Sequence, residues 1–358
     1  MTQITALSSA EDPWGAEQSL ALILGELAAG GMHCTIIVSS DAAEEFFGRT
    51  AGVSVVRVSY RDNARVARWV AFLRAMRRTG RADAIIVASV DLYILGWVCR
   101  LTSGGSANVI ADLHDTFDRG IDRWKVRALL LGFSRVIAIS RYVATELRLL
   151  DHCRIVGRPT DKTAWSGSEP GVGGQALRVG VVGRLVPEKR LEVVIEAFDR
   201  LPQAELHVYG AAFGRDEGYA ARIVQEIQGA GKGHFYHGRQ EAAVIYSSID
   251  VLVVANETEA SGRTVVEAMS RGVPVVVPDV GGASEYIVAC PGGGITWSTR
   301  RGPAALRECI EILAGDPDRL RSMGVAARAW ANAERSPTVV ARMYAAAIGV
   351  GGDLGEAG

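Results

Sequence analysis

Short apolar runs rich in β-branched residues recur along this chain, and amphipathic stretches separate them. In the first half the runs are 34–38, 53–58, 84–88, 108–111 and 135–139. Each has the length and character of a strand buried on both faces. The stretch 16–29 carries apolar residues at helical spacing and ends at Gly30-Gly31, a favourable C-terminal cap. Alternation of this kind predicts parallel sheets with crossover helices. The pattern lapses over 157–175, GRPTDKTAWSGSEPGVGGQ, whose Gly, Ser and Pro content reads as a linker. A second alternating series starts at 177–183 and continues through 206–209, 251–254 and 273–277. The expected architecture is α/β, with two doubly wound Rossmann-like domains facing across a cleft. Ligands of such sheets bind beyond the carboxyl ends of the strands. The expected boundaries are a first domain over 1–157, a linker over 158–176 and a second domain over 177–335. A C-terminal helix over 336–348 and a disordered tail over 349–358 follow.

Composition narrows the class. At 358 residues the chain exceeds the size at which one core stops growing, which also favours two domains. A formal net charge of −1 gives no general reason to expect a nucleic-acid partner. Five cysteines are scattered without CxxC spacing, which points to reduced thiols and a cytoplasmic setting. The start, MTQITALSSAEDP, has no basic leader, and no uncharged apolar run reaches the length of a membrane span.

The chemistry concentrates in IDVLVVANETEASGRTVVEAMSRGVPVVVP. Glu259 and Glu267 are separated by seven residues around a Ser-Gly turn. Glu259 falls in the loop leaving a strand, and Glu267 falls about two turns into the next helix. The helix start between them offers backbone N–H groups suited to phosphate, and carboxylates accept from sugar hydroxyls. Earlier, VGVVGRLVPEKR places Gly183, Arg184 and Lys189 just after the first strand of the second series. Two cations there can neutralise a diphosphate, although both could equally be solvated loop charges.

Taken together, GRLVPEK, the E-x(7)-E turn with EAMSRGVPVV, and DVGGASEYI resemble the retaining glycosyltransferases of family 4, which have the GT-B fold. PWGAEQSLALILGELAAGGMHCTIIVS, IADLHDTFD and SRVIAISRYVATEL extend the resemblance through the first half, to about Tyr344 in all. It implies that Arg184 and Lys189 hold a donor diphosphate and that Glu267 accepts from ribose hydroxyls. It implies that Glu259 contacts the transferred sugar, with the amides near Gly262, Arg263 and Thr264 supporting sugar or phosphate. Gly15 would let backbone approach the diphosphate, and His114 would face the reacting sugar. A hydrogen-bonded loop histidine is the other reading of His114; Asp112 and Asp115 beside it favour the site. The chain departs from the family pattern at Ala260-Ser261-Gly262, at Arg190 where glycine is frequent, and at Gly157-Arg158-Pro159.

The implied reaction moves a sugar from a nucleoside diphosphate-sugar to a hydroxyl acceptor with retention. It uses no cofactor and no metal, because the protein supplies the cations. The acceptor would be a small molecule, a glycan or a lipid-linked sugar. A nucleotide-sugar epimerase or an inverting GT-B transferase is the alternative enzyme, and each needs a base or acid pair that no motif supplies. A non-catalytic subunit that binds a partner or a membrane is the alternative of another class. The sequence has no GxGxxG, P-loop or GxSxG. Asp316-Pro317-Asp318 reads as a helix start rather than a metal ligand pair, and Glu285 as a helix-start carboxylate. Trp165 and Trp297 have no assignable role. Residues 61–81 carry seven arginines against one acid, with Trp69, Phe72, Leu73 and Met76 at helical spacing. That pattern suits a crossover helix with solvated arginines, or a face peripheral to an anionic membrane.

Overall fold

The computed structural model describes residues 1–350 except 14, 61–64, 117–122, 162–175, 200 and 213–215. Most of the expected linker, the tail beyond 350, Trp165 and Arg61 therefore lie outside the described residues. The chain divides into two compact units, Met1–Pro159 with Pro337–Gly358, and Thr160–Ser336.

The first unit holds a parallel sheet of seven strands. They are β1 (Gln3–Ser8), β2 (His33–Val38), β3 (Val53–Arg57), β4 (Ala84–Val87), β5 (Asn108–Leu113), β6 (Arg135–Ala138) and β7 (Arg154–Ile155). Their order is β3-β2-β1-β4-β5-β6-β7, so the direction of winding reverses between β1 and β4. The helices are α1 (Gly15–Ala29), α2 (Asp41–Gly48), α3 (Arg65–Thr79), α4 (Tyr93–Ser103), α5 (Arg123–Leu130) and α6 (Arg141–Glu146). Strand β1 is absent from the expectation above, yet it is the centre of the sheet. Ile4 pairs with both Cys34 and Ala84. Its sequence, QITALS, is half polar, and only its neighbours bury Thr5 and Ser8.

The second unit holds six parallel strands. They are β8 (Leu177–Val182), β9 (Ala204–Tyr209), β10 (His234–Gly238), β11 (Val251–Val253), β12 (Val275–Pro278) and β13 (Gly294–Trp297). The order is β10-β9-β8-β11-β12-β13. The two strands missing from the expectation, β10 and β13, are the two edges. Edge strands need less apolar character than central ones, so HFYHG and GITW give little signal. Helices α7 (Leu191–Ala197), α8 (Glu217–Gly229), α9 (Ala242–Ser247), α10 (Arg263–Ser270), α11 (Ser284–Ala289), α12 (Pro303–Gly315) and α13 (Pro317–Glu334) complete it. Trp297 now has a role: it is fully buried in the core, and its Nε1 donates to the Val254 carbonyl at 3.1 Å. That bond anchors the chain where it leaves β11. Asp316 caps α13 through its carboxylate, which accepts from the Arg319 amide.

The final helix, α14 (Pro337–Ile348), belongs to the first unit rather than standing alone. Val340, Ala341, Tyr344 and Ile348 join Leu20, Leu24, Ile36 and Ile86 in one core. A buried polar cluster fixes the docking. Tyr344 Oη donates to Asp112 Oδ2 at 3.1 Å, and Arg158 Nη1 lies 3.9 Å from the same oxygen. Burial, then the Asp112 charge, pushes the Tyr344 phenol pKa well up. Tyr344→Phe should therefore cost about 1.5–3 kcal/mol, the worth of a hydrogen bond to a charged group. Chemical denaturation of wild type and variant measures it, and an unchanged midpoint would remove this cluster from the account of the helix.

Candidate functional site

Reversal of winding in the second unit falls between β8 and β11, where Val251 pairs with Val179 and Leu252 with Gly180. A crevice opens beyond the carboxyl ends of strands at such a point. Both motifs singled out in the sequence issue from it. The segment after β8 runs beside the end of β9. Gly183 N donates to the Tyr209 carbonyl at 3.0 Å, and Leu185 N donates to the Ala211 carbonyl at 2.9 Å. The contact is close enough that a Cβ on Gly210 would lie 1.8 Å from the Gly183 oxygen. A single 3-10 turn, Pro187–Lys189, then carries Lys189 back toward the strand ends. Gly183, Arg184, Lys189, Tyr209, Ala255 and Thr264 are among the residues that line a pocket there.

Lys189 meets the loop after β11. Its Nζ is 2.6 Å from Glu259 Oε2, and Asn256 Nδ2 donates to the same oxygen at 3.1 Å. Asn256 also accepts from the Thr258 amide at 2.9 Å, an Asx turn that shapes the loop. Burial raises the Glu259 pKa, but the Lys189 charge, the Lys189 and Asn256 hydrogen bonds and the Gly262 amide outweigh it. The carboxyl is held below its ordinary range and is ionised at neutral pH.

The loop carrying Glu259 is clamped from behind. Gly282 N donates to the Glu259 carbonyl at 2.7 Å. A Cβ on Gly282 would lie 2.1 Å from the Ala260 oxygen, and one on Gly281 would lie 2.6 Å from the Glu257 oxygen. The Gly-Gly of DVGGASEYI is therefore a positioning device, which its sequence alone does not reveal. Arg190 shows why glycine suits its position: its φ is +51°, in the left-handed region. An ion pair with Glu257 holds the arginine there.

Glu267 sits closer to the turn than expected. Helix α10 begins at Arg263, so Glu267 is its fifth residue, just over one turn in rather than two. Arg263 Nε donates to Glu267 Oε1 at 2.5 Å. Tyr246 Oη lies 3.1 Å from Glu267 Oε2 and 3.2 Å from the Thr264 carbonyl, so its one proton serves both. Burial and then the Glu267 charge push the Tyr246 phenol pKa well up. Each Glu267 oxygen keeps a lone pair for a ligand hydroxyl. The sequence motifs do not include Tyr246 or Asn256. An Asx turn after a buried strand was a legible signal for Asn256, whereas nothing marked Tyr246.

Gly183, Arg184, Lys189, Glu259, Gly262, Arg263, Thr264 and Glu267 are thus brought to one end of one sheet. Gly15 and His114 belong to the first unit. Gly15 opens α1 after β1, and its carbonyl accepts from Ser19 Oγ at 2.8 Å. His114 directly follows β5, with Nε2 3.6 Å from Asp115 Oδ2. Asp112 does not support it as the sequence suggested, because that carboxylate is engaged by Tyr344 and Arg158.

Two Rossmann-like units of this kind, the second with a pocket at its switch point, fit the GT-B class. The sequence family Glycosyltransferase Family 4 matches residues 14–161, and the family Glycosyl transferases group 1 matches 169–330. HepE of Anabaena, crystallised with UDP and glucose, superimposes with a TM-score of 0.82 at 19% identity, covering 98% of this chain and 100% of that one. The GDP-mannose-dependent alpha-mannosyltransferase of Mycolicibacterium smegmatis is 36% identical over 121 residues, 32% of this chain and 29% of the relative. The alpha-maltose-1-phosphate synthase of the same organism is 27% identical over 238 residues, 58% of this chain and 61% of the relative. The chain belongs to the family 4 glycosyltransferases. Its alignments span between 20% and 61% of the length of the first three curated relatives.

Proposed function

We propose that the protein transfers a sugar from a nucleoside diphosphate-sugar to a hydroxyl acceptor, with retention at the anomeric carbon and without a metal. The observation that carries this is the meeting of Lys189 with Glu259 at the β8–β11 switch point, beside Arg184 and the start of α10. Lys189 has three donors and gives one to Glu259, so two remain for diphosphate oxygens. Arg184 adds a planar fork suited to the same group. Charge that builds on the leaving diphosphate is stabilised by these preplaced cations, which lowers the barrier directly. Glu267 accepts from ribose hydroxyls, and Glu259, kept ionised, accepts from hydroxyls of the transferred sugar. The amides at Gly262, Arg263 and Thr264 lie at the positive end of α10 and support sugar or phosphate. The family resemblance assigns Gly15 and His114 roles toward the donor. Retention follows if the leaving oxygen itself assists the acceptor on the same face, since no residue is assigned as nucleophile. The GDP-mannose-dependent relative and the HepE complex with UDP-glucose support a nucleotide-sugar donor.

Ligand-observed NMR against a panel of nucleotide sugars identifies the donor, and the anomeric coupling of the product reports stereochemistry. Binding of one donor and a product of unchanged configuration are expected. Turnover should persist in excess EDTA. Inverted product would end the retaining assignment. Loss on chelation, restored by magnesium or manganese, would end the metal-free one. Failure of every donor to bind would overturn the transferase reading.

A further inference from the structure

Helices α3, α4 and α5 pack side by side in the first unit. Met76 Sδ meets Cys99 Sγ at 3.8 Å, and Trp97 Nε1 donates to the Leu129 carbonyl at 3.0 Å. Nine arginines and lysines lie on these three helices, and not one aspartate or glutamate. Ordinary outer helices carry both signs, so this balance needs a reason. Flanking acids neutralise two of the nine: Arg68 pairs with Asp91, and Arg123 pairs with Glu146. Arg74, Arg77, Arg78 and Arg127 are exposed and have no ion pair among the described residues.

The apolar side chains of the same helices are also out of place. Leu101 is 77% exposed, Leu131 just beyond α5 71%, Trp124 65% and Val66 63%. The face expected from the sequence was 61–81 alone, with Trp69, Phe72, Leu73 and Met76 as its apolar stripe. That stripe turns inward instead. Phe72 is fully buried, and Trp69 Nε1 donates to the Asp91 carbonyl. The outward apolar residues come mainly from α4 and α5, which no single segment of sequence reveals.

We propose that the α3–α4–α5 face docks on an anionic lipid bilayer. Arginines attract the acidic headgroups, and tryptophan and leucine enter the interface, the combination that holds peripheral proteins on membranes. Charge alone would suit a nucleic acid as well, but exposed Leu101 and Leu131 gain nothing there. The proposal stands on side chains outside the donor pocket. It therefore survives or fails independently of the transferase reading.

The test is co-sedimentation of the full chain with vesicles of phosphatidylcholine alone and with one third phosphatidylglycerol. Two variants accompany wild type. One changes Arg74, Arg77 and Arg78 to Ser, and the other changes Trp124 and Leu131 to Ser. Thermal unfolding checks that each is folded. Wild type should bind only the anionic vesicles and be released as salt rises, because surface charges are screened over ~8 Å at physiological ionic strength. Each variant should lose at least tenfold in partitioning while keeping the melting temperature of the wild type. Absence of sedimentation at low salt, equal binding to neutral vesicles, or variants that match wild type would overturn it. Capture by single-stranded RNA with no vesicle binding would also overturn it, and would assign the face to nucleic acid.

Discussion

Lys189→Met should lower stability by about 1–3 kcal/mol at pH 7, the worth of a hydrogen bond between charged groups, and this deficit should close as the solution is acidified. In the wild type the Glu259 pKa is depressed, although burial acts to raise it. A depressed carboxylate contributes stability that is present above its unfolded pKa and is lost as pH falls through its folded one. Removing the ammonium leaves burial less opposed, so the pKa rises and that contribution disappears. At a pH low enough to protonate Glu259 in both proteins, the variant has nothing left to lose. Methionine keeps most of the apolar stem, so the comparison isolates the charge. Donor affinity should fall by about 1.5–3 kcal/mol, on the order of 10- to 100-fold. Urea denaturation across pH and calorimetry with the donor provide the two readouts. A stability gap that stays constant with pH would show that the Lys189–Glu259 pair is not coupled as drawn.

The second large effect is expected from Gly210→Ala. The new methyl would overlap the Gly183 oxygen at 1.8 Å, and the position has φ of +145°. Backbone strain and overpacking together should cost about 2–5 kcal/mol, and the obstacle is backbone, which cannot rotate aside. The segment from Gly183 to Leu185 must shift, so donor binding should weaken even though residue 210 carries no ligand group. Gly218→Ala is the control. It lies on α8 with open space around the site, and it should be neutral or stabilise by about 0.4–1 kcal/mol. Equal melting temperatures for the two variants would contradict the close approach of the two strand ends.

Much of the candidate site was legible because its residues are local. GRLVPEK and the E-x(7)-E turn each span one strand end and the start of one helix. Their order along the chain therefore already places the cations and carboxylates at strand ends. The clamp behind Glu259 was not legible in the same way. It needs Gly281 and Gly282 to touch the carbonyls of 257 and 260, about twenty residues earlier, and only the folded backbone brings them together. Tyr246 reaches Glu267 across another loop, so no spacing rule could mark it. Asp112 misled for the opposite reason. It neighbours His114 in sequence, but its carboxylate is engaged by Tyr344, 232 residues away.

By itself the sequence determined the doubly wound class, since apolar strand runs alternating with helices leave parallel sheets as the economical packing. It also determined which charged residues leave the strands near the start of α10. The tertiary structure alone decided which strands are central and which are edges, because β1 is half polar and is central only through its pairing with β2 on one side and β4 on the other. It decided that α14 returns to the first unit, through a buried tyrosine and carboxylate that meet only after the second unit has been traversed. And it decided which face of α3 points outward, since a helical stripe of apolar residues is satisfied by whatever surface the fold presents to it. Local periodicity carries information over a few turns, whereas burial is set by contacts that the chain makes over hundreds of residues.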